Sequence, residues 1–478
     1  MSGAAAASTA GKAGRGGRDL TQGPIVRTLL VFALPTLGTS ILQSLNGSVN
    51  AIWVGRFLGE GALAAVSNAN LIMFLAFAGI FGFAMAATIL IGQNVGRRDI
   101  DAVRRIVGTG VTLFAVVSVA IAALGWWTTP ALLRLLATPP EVQPLATAYL
   151  RVMFLGFPPS FLIVLLTMAL RGTGDSMTPL WFTLGAVVVD IALNPLLILG
   201  WGPVPALGIA GSGLASLVAN IAAFAGLVLY IQRGGLTIRL KGAEWAYLRP
   251  DPALLRVIVA KGVPMGLQML VLSVSGLAMI GLVNRYGTTV TAAYGVTAQL
   301  WGYIQMPALA LSAAVSAMAA QNIGAGQWHR VERVAWSGAG LNVLMTGGAV
   351  LLLTLIDRQV LGLFLDARSP AIGIAEHIHL MVSWSFVLFG VTIVLSGVVR
   401  ANGVVWPPLI VLATAALPVR LGLAYSLEPR FGIDAVWWSF GAGSCVALIL
   451  MLSYFRWGRW REGRLLSSPA PLPEPTTP

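Results

Sequence analysis

Twelve separate stretches of this chain are each long and apolar enough to cross a lipid bilayer, which leaves little room for a water-soluble architecture. A helix needs about 20 mostly apolar residues to span the hydrocarbon. The stretches fall roughly at 28–53, 62–91, 106–127, 147–169, 179–200, 208–231, 254–284, 290–319, 336–356, 377–399, 407–427 and 434–456, allowing a few residues at each boundary. The chain is 57 % hydrophobic and 10 % charged, whereas soluble domains carry about 25 % charged residues. An all-α integral membrane protein of twelve spans is expected. The one cysteine, Cys445, excludes an internal disulfide framework.

Lysines and arginines set the orientation of such a bundle. With the N-terminus inside, the cytoplasmic segments hold 22 of the 30 basic residues. Among them are Arg97, Arg98, Arg104 and Arg105 after span 2, and Arg239, Lys241 and Arg249 in the central loop. Both termini are therefore expected in the cytoplasm, and the membrane is expected to be a bacterial inner (plasma) membrane. The net charge of +13 is accounted for by short loops beside anionic headgroups, without a nucleic-acid partner.

The chain also repeats itself. LIGQNVGRR at 90–98 is echoed by AAQNIGAGQ at 319–327, with Gln93 and Gln321 228 residues apart. ALPTLG at 33–38 faces GVPMGL at 262–267, VGRFLGEGALAAV at 54–66 faces VNRYGTTVTAAYG at 283–295, and RGTGDSMTP at 171–179 faces RANGVVWPP at 400–408. The expected organisation is a disordered basic arm (1–24), an N-lobe of spans 1–6 (25–234) and a linker (235–253). A C-lobe of spans 7–12 (254–456) and a disordered tail (457–478) follow. Six spans return the chain to its starting side, so the lobes are related by a pseudo-two-fold axis along the membrane normal. Each Gln-Asn pair then ends the second helix of its lobe, capping the last carbonyls while glycine terminates the helix, or takes part in gating.

These motifs, in order and in both halves, resemble the MATE (multidrug and toxic compound extrusion) family over nearly all of residues 25–456. The resemblance implies a V-shaped transporter of two six-helix bundles. Such transporters export organic cations and other amphipathic compounds in exchange for protons or sodium ions.

An exchanger needs a group that changes charge or holds an ion, and ionisable residues inside spans are the default candidates. Asp190, in VVVDIALNPLLI, is the clear one. Low dielectric disfavours a charged carboxylate, which suits proton uptake and release, although a purely structural hydrogen bond to a neighbouring helix is the competing reading. Asn194 lies one turn on. Gln43, Asn46 and Asn50 form a polar stripe on span 1, and Ser212, Ser216 and Asn220 another on span 6. Family members often carry Asn-x-x-x-Asp-Pro where this chain has Asp190-x-x-x-Asn194-Pro195, and an aspartate where it has Asn50. The resemblance also places Ser216 at the usual threonine. The coupling set is therefore expected to be Asp190, Asn194, Asn50, Gln43 and Ser216. A single carboxylate suits a proton better than a sodium ion, with Asn and Ser oxygens keeping sodium possible.

The C-lobe lacks a matching acid. Gln268 stands in span 7, and span 11 carries Arg420 about 230 residues after Asp190. This arginine is either pinned by backbone carbonyls or a cationic element that displaces cargo. Trp301, Tyr303 and Trp384, with Met306 and Phe386, supply aromatic and apolar material for lipophilic cations, or ordinary core. Asn46, Asn220, Gln268, Trp301, Tyr303, Trp384 and Arg420 make up the expected substrate cavity.

No His-Glu-x-x-His or P-loop spacing is present, so neither an enzyme nor an ATP-driven pump is expected. The expectation is a monomeric multidrug or organic-cation antiporter, coupled to protons or, second, sodium, without other cofactors. A flippase for lipid-linked or amphipathic substrates of the same superfamily is the main alternative. A passive channel fits the two-lobed repeat poorly.

Overall fold

The computed structural model describes residues 17–136, 138–200, 205–365 and 369–463. Residues 1–16 of the expected arm and 464–478 of the expected tail lie outside them. Among the described residues the chain is helical, with no strand. The N-terminal half comprises α1 (Ile25–Leu58), α2 (Glu60–Gly96), α3 (Ile100–Leu135), α4 (Gln143–Leu155), α5 (Phe157–Gly172), α6 (Met177–Leu199) and α7 (Gly208–Gly234). The C-terminal half comprises α8 (Pro252–Val283), α9 (Thr288–Gly324), α10 (Trp328–Leu355), a short α11 (Asp357–Leu361), α12 (Ala371–Val382), α13 (Ser385–Ala401), α14 (Trp406–Thr414), α15 (Gly422–Phe431) and α16 (Asp434–Trp457).

Ten helical segments are long and apolar enough to span a bilayer, with α14 to α15 counted as one, and the bent pairs α4/α5 and α12/α13 bring the number to twelve. The pairs bend by 47° and 44°, one repeat apart. In the first, Pro158 and Pro159 follow the break, and proline removes a helical N–H and crowds the preceding carbonyl. Between α14 and α15 the helix widens into a π-helical stretch (Ala415–Leu421) that contains Pro418 and Arg420.

Three apolar cores organise the helices. One belongs to the N-lobe alone, around Val54, Phe114, Phe154, Phe157 and Phe161. One belongs to the C-lobe alone, around Met279, Trp301, Val382 and Trp437. The third is shared, joining Ile89–Ile91 and Leu170 to Val315–Ala320 and Val398–Val399. The lobes therefore fuse near the ends of α2 and α9. At the α1–α2 and α8–α9 turns, Gly59, Gly61 and Gly287 face open space.

Small residues make the fusion possible. At Gly82 an added Cβ would strike the backbone of Gly262 and Gly266 across the lobe boundary, the close approach that glycine permits between membrane helices. The two Gln-Asn turns complete the closed end. Asn94 and Asn322 donate to the carbonyls one turn back, Leu90 (2.8 Å) and Met318 (2.7 Å), as the helix-end reading expects. The glutamines instead cross the boundary: Gln93 Nε2 donates to the Ala401 carbonyl at 2.7 Å, and Gln321 Nε2 to the Gly172 carbonyl at 3.0 Å. Gly96 and Gly324 are the last residues of α2 and α9. They are the points where each lobe's backbone meets the other, and a Cβ at either would collide with the Gln321 or Gln93 carbonyl. The left-handed residues come later, at Arg98 (φ 63°) and Gly326 (φ 72°).

The end of the expected arm is packed rather than loose. Leu20 is 1 % exposed within the shared core. Its N–H donates to Gln321 Oε1 (3.0 Å) and its carbonyl accepts from Asn322 Nδ2 (3.1 Å). Arg330 Nη2 donates to the Gln22 and Gly23 carbonyls at 3.0 and 2.8 Å. An apolar side chain with both backbone groups satisfied by the C-lobe gains nothing by leaving. The loop between the lobes also docks. Arg104 pairs with Glu244, and the Tyr247 hydroxyl donates to Asp101 beneath Arg105, whose guanidinium lies 5.3 Å from the Tyr247 ring centre. That bond to Asp101 holds the phenol above its ordinary range.

Candidate functional site

Inside the N-lobe, α1, α2 and α4 to α7 border a cavity of about 340 Å³. The helical spacing of Gln43, Asn46 and Asn50 turns all three toward it, and Asp190 and Asn220 line the opposite walls. Asp190 is 2 % exposed and Asn194 fully buried. Isolated buried charge is costly unless hydrogen-bonded, and three donors converge on this carboxylate. Asn46 Nδ2 and Asn50 Nδ2 reach Oδ2 at 2.8 and 2.9 Å, and Ser216 Oγ reaches Oδ1 at 3.1 Å. Asn194 Nδ2 donates to Asn50 Oδ1 at 2.8 Å, orienting that amide.

The cluster is short of donors. Asn46 Oδ1 and Asn194 Oδ1 are buried without a hydrogen-bond partner among the described residues. A carboxylate, amide oxygens and a hydroxyl around one cavity form an oxygen-only donor set, suited to a proton or a hard cation. Among the described residues no cluster of three His, Cys, Asp or Glu side chains offers a metal site.

Of the residues singled out from the sequence, the structure thus brings together Gln43, Asn46, Asn50, Asp190, Asn194, Ser216 and Asn220. Sequence reasoning did not single out Asn70, Tyr149 or Thr167, which also line the cavity. Tyr149 has no polar neighbour three or four positions away to mark its face, and Asn70 and Thr167 have only one each, Ser67 and Arg171.

The C-lobe residues lie elsewhere. Gln268 is buried and accepts from Arg400 Nη1 at 2.8 Å. Tyr303 is exposed beside Gln299, whose amide donates to its hydroxyl at 3.3 Å. Trp384 is exposed at the α12/α13 break, with Nε1 donating to the Met381 carbonyl at 2.7 Å. Trp301 is buried among Tyr294, Phe386 and Phe440, with ring centres 5.7, 5.4 and 5.3 Å away. Among the described residues no carbonyl pins Arg420: its guanidinium lies 4.6 Å from the Phe440 ring centre, and its buried Nε has no hydrogen-bond partner there. The π-helical stretch re-aims this side chain toward the ring face.

The MatE family model matches the chain twice, at residues 35–196 and 264–426. Over 444 residues, 92 % of the chain and 96 % of the relative, the sequence is 36 % identical to the probable multidrug resistance protein YoeA of Bacillus subtilis strain 168. It is 28 % identical over 447 residues to the probable multidrug resistance protein NorM of Rhizobium meliloti strain 1021, covering 92 % and 93 % of the two chains. Among solved structures, a MATE protein in complex with MaD3S superposes with a TM-score of 0.84 at 19 % identity, covering 93 % and 97 % of the chains. An outward-facing multidrug resistance MATE family transporter of the MOP superfamily superposes at 0.83 and 21 % identity, covering 92 % and 97 %.

Proposed function

The chain belongs to the MATE family of multidrug efflux transporters, and on that premise we propose that it is a secondary antiporter exporting small amphipathic or cationic compounds against inward proton movement through Asp190. It is a multi-pass membrane protein, and the family's members are transporters rather than enzymes. The observation that carries the coupling assignment is the convergence of Asn46, Asn50 and Ser216 on one buried carboxylate in a cavity.

The fused end of the lobes carries Arg97, Arg98, Arg330 and Arg333 at the α2 and α9 turns. The positive-inside rule assigns this end to the cytoplasm of a bacterial inner membrane, with both termini on that side. The lobes then stand apart toward the exterior. In the working cycle, a proton entering from outside neutralises Asp190 and loosens its amide partners, favouring cargo release. Lobe closure outside and separation of the Gln-Asn turns inside then let the proton leave to the cytoplasm. One chain contains every part of this cycle, so a monomer suffices.

A second reading has its own observation. The unpartnered oxygens of Asn46 and Asn194 beside the carboxylate favour a sodium ion as the coupling species at the same site. The test is ethidium transport in proteoliposomes driven by a pH step without sodium, and separately by a sodium step at constant pH. Under the proton reading only the pH step drives wild-type transport, and Asp190→Asn reduces it at least tenfold. Transport driven by sodium alone would replace the proton with sodium. Full activity in Asp190→Asn would end the assignment of coupling to this residue.

A further inference from the structure

A second and larger cavity, of about 730 Å³, lies in the same lobe toward the fused end. Arg18, Leu20, Thr28, Asp175, Ser176 and Tyr230 line it. They come from the N-terminal segment, the start of α1, the α5–α6 turn and the end of α7. Met177, 51 % exposed, and Tyr230, 46 % exposed, stand at its border, so water from that side enters it. Asp175 accepts from the Thr178 N–H and hydroxyl at 2.9 and 2.6 Å, which fixes a carboxylate at the mouth.

The two cavities of the N-lobe meet at one pair of rings. Phe182 lines the Asp190 cavity and Tyr230 lines the larger one, with ring centres 5.7 Å apart. Phe182 is seated on α7 at Gly226, where an added Cβ would lie 3.2 Å from its Cε1. Leu227 on the Asp190 side and Phe32 on the other both belong to the shared apolar core. The wall between the cavities is therefore apolar. A hydrophobic constriction closes a path by dewetting, and a proton does not hop where water is excluded.

We propose that the proton leaves Asp190 through the N-lobe itself, past the Phe182–Tyr230 pair into the larger cavity, and that this pair is the inner gate of the proton path. The proposal rests on the proton reading above and gives its inward step a route separate from that of the cargo, which passes between the lobes. One wall of the larger cavity is tied to both lobes. The Arg18 N–H donates to the Gly174 carbonyl at 3.3 Å, and Leu20 is held by Gln321 and Asn322. Parting of the Gln-Asn turns loosens that wall in the same movement and gives the two rings room to separate.

The test is proton entry without cargo into proteoliposomes of the full chain. Pyranine trapped in the lumen reads it after an external acid step, with valinomycin and potassium clamping the potential. Wild type is expected to match protein-free vesicles. Phe182→Ala and Tyr230→Ala each remove a ring from the wall and are expected to admit protons at least fivefold faster. Tyr230→Phe keeps the ring and should stay tight, as should Trp181→Ala, whose side chain is 63 % exposed on α6. Unchanged helix content by circular dichroism separates a leak from a loss of fold. Tight vesicles with both alanine variants overturn the proposal, as does an equal leak in Trp181→Ala, which indicates general loosening. A leak in Phe182→Ala that survives the addition of Asp190→Asn would instead count against Asp190 as the coupling group and leave the route standing.

Discussion

Of the three side chains that donate to Asp190, Asn50 is the most heavily committed, since it also accepts from Asn194. Ser216 makes a single, longer bond. A hydrogen bond to a charged group is worth about 1.5–3 kcal/mol, and every 1.4 kcal/mol is tenfold in affinity. Asn50→Ala is therefore expected to raise the coupling-ion concentration for half-maximal transport by about tenfold to a hundredfold, and Ser216→Ala by less than tenfold. Titrating transport rate against ion concentration checks this; equal effects would mean that Asn50 does not organise the site. The grouping of these residues was legible because helical spacing brings i, i+3 and i+7 to one face. Which amide oxygens stay unpartnered was not, because that depends on the rotation of each amide across three helices.

At the scale of elements, hydropathy and the repeat located every span, because a bilayer demands long apolar runs whatever packs around them. The glutamines show what such patterns omit. Gln93 and Gln321 read as helix-end residues, yet their partners lie 308 and 149 residues away in sequence, and only the docking of the lobes creates those contacts. Leu20 was similarly invisible as a lone apolar residue in a polar arm. The glycines in the two turns provide the sharper test. Gly96→Ala or Gly324→Ala sets a methyl against the opposite backbone, so each should widen the closed end. Gly276→Ala, facing open space, should not. Spin-label distances between residues 95 and 325, in a background lacking Cys445, would report the change; an unaltered distance in both turn variants would show that the turns do not hold the lobes.

For the molecule as a whole, the division into one shared core and two private ones decides where substitutions act. Leu20 belongs to the shared core. Leucine-to-alanine changes in cores cost about 2–5 kcal/mol, and here the loss falls on the contact between lobes rather than on either lobe's interior. Leu20→Ala is expected to shift the population toward states open at that end while leaving the helix content unchanged. Spin-label distances and circular dichroism together check it. A loss of helicity at unchanged lobe distance would place Leu20 in the folding of the N-lobe instead.

The helix α1 follows directly from Leu20 and carries Asn46 and Asn50 to Asp190. Its 34 residues, at 1.5 Å per residue, run for roughly 50 Å, with the N-terminal end anchored on the opposite lobe and the C-terminal half bonded to Asp190. Two binding equilibria that share one such element are thermodynamically linked, and linkage is reciprocal. Whatever free energy an ion at Asp190 contributes to parting or joining the lobes, the anchoring of Leu20 must return as a change in that ion's affinity. A single strand of backbone thus ties the occupancy of a site deep in one lobe to the grip between both.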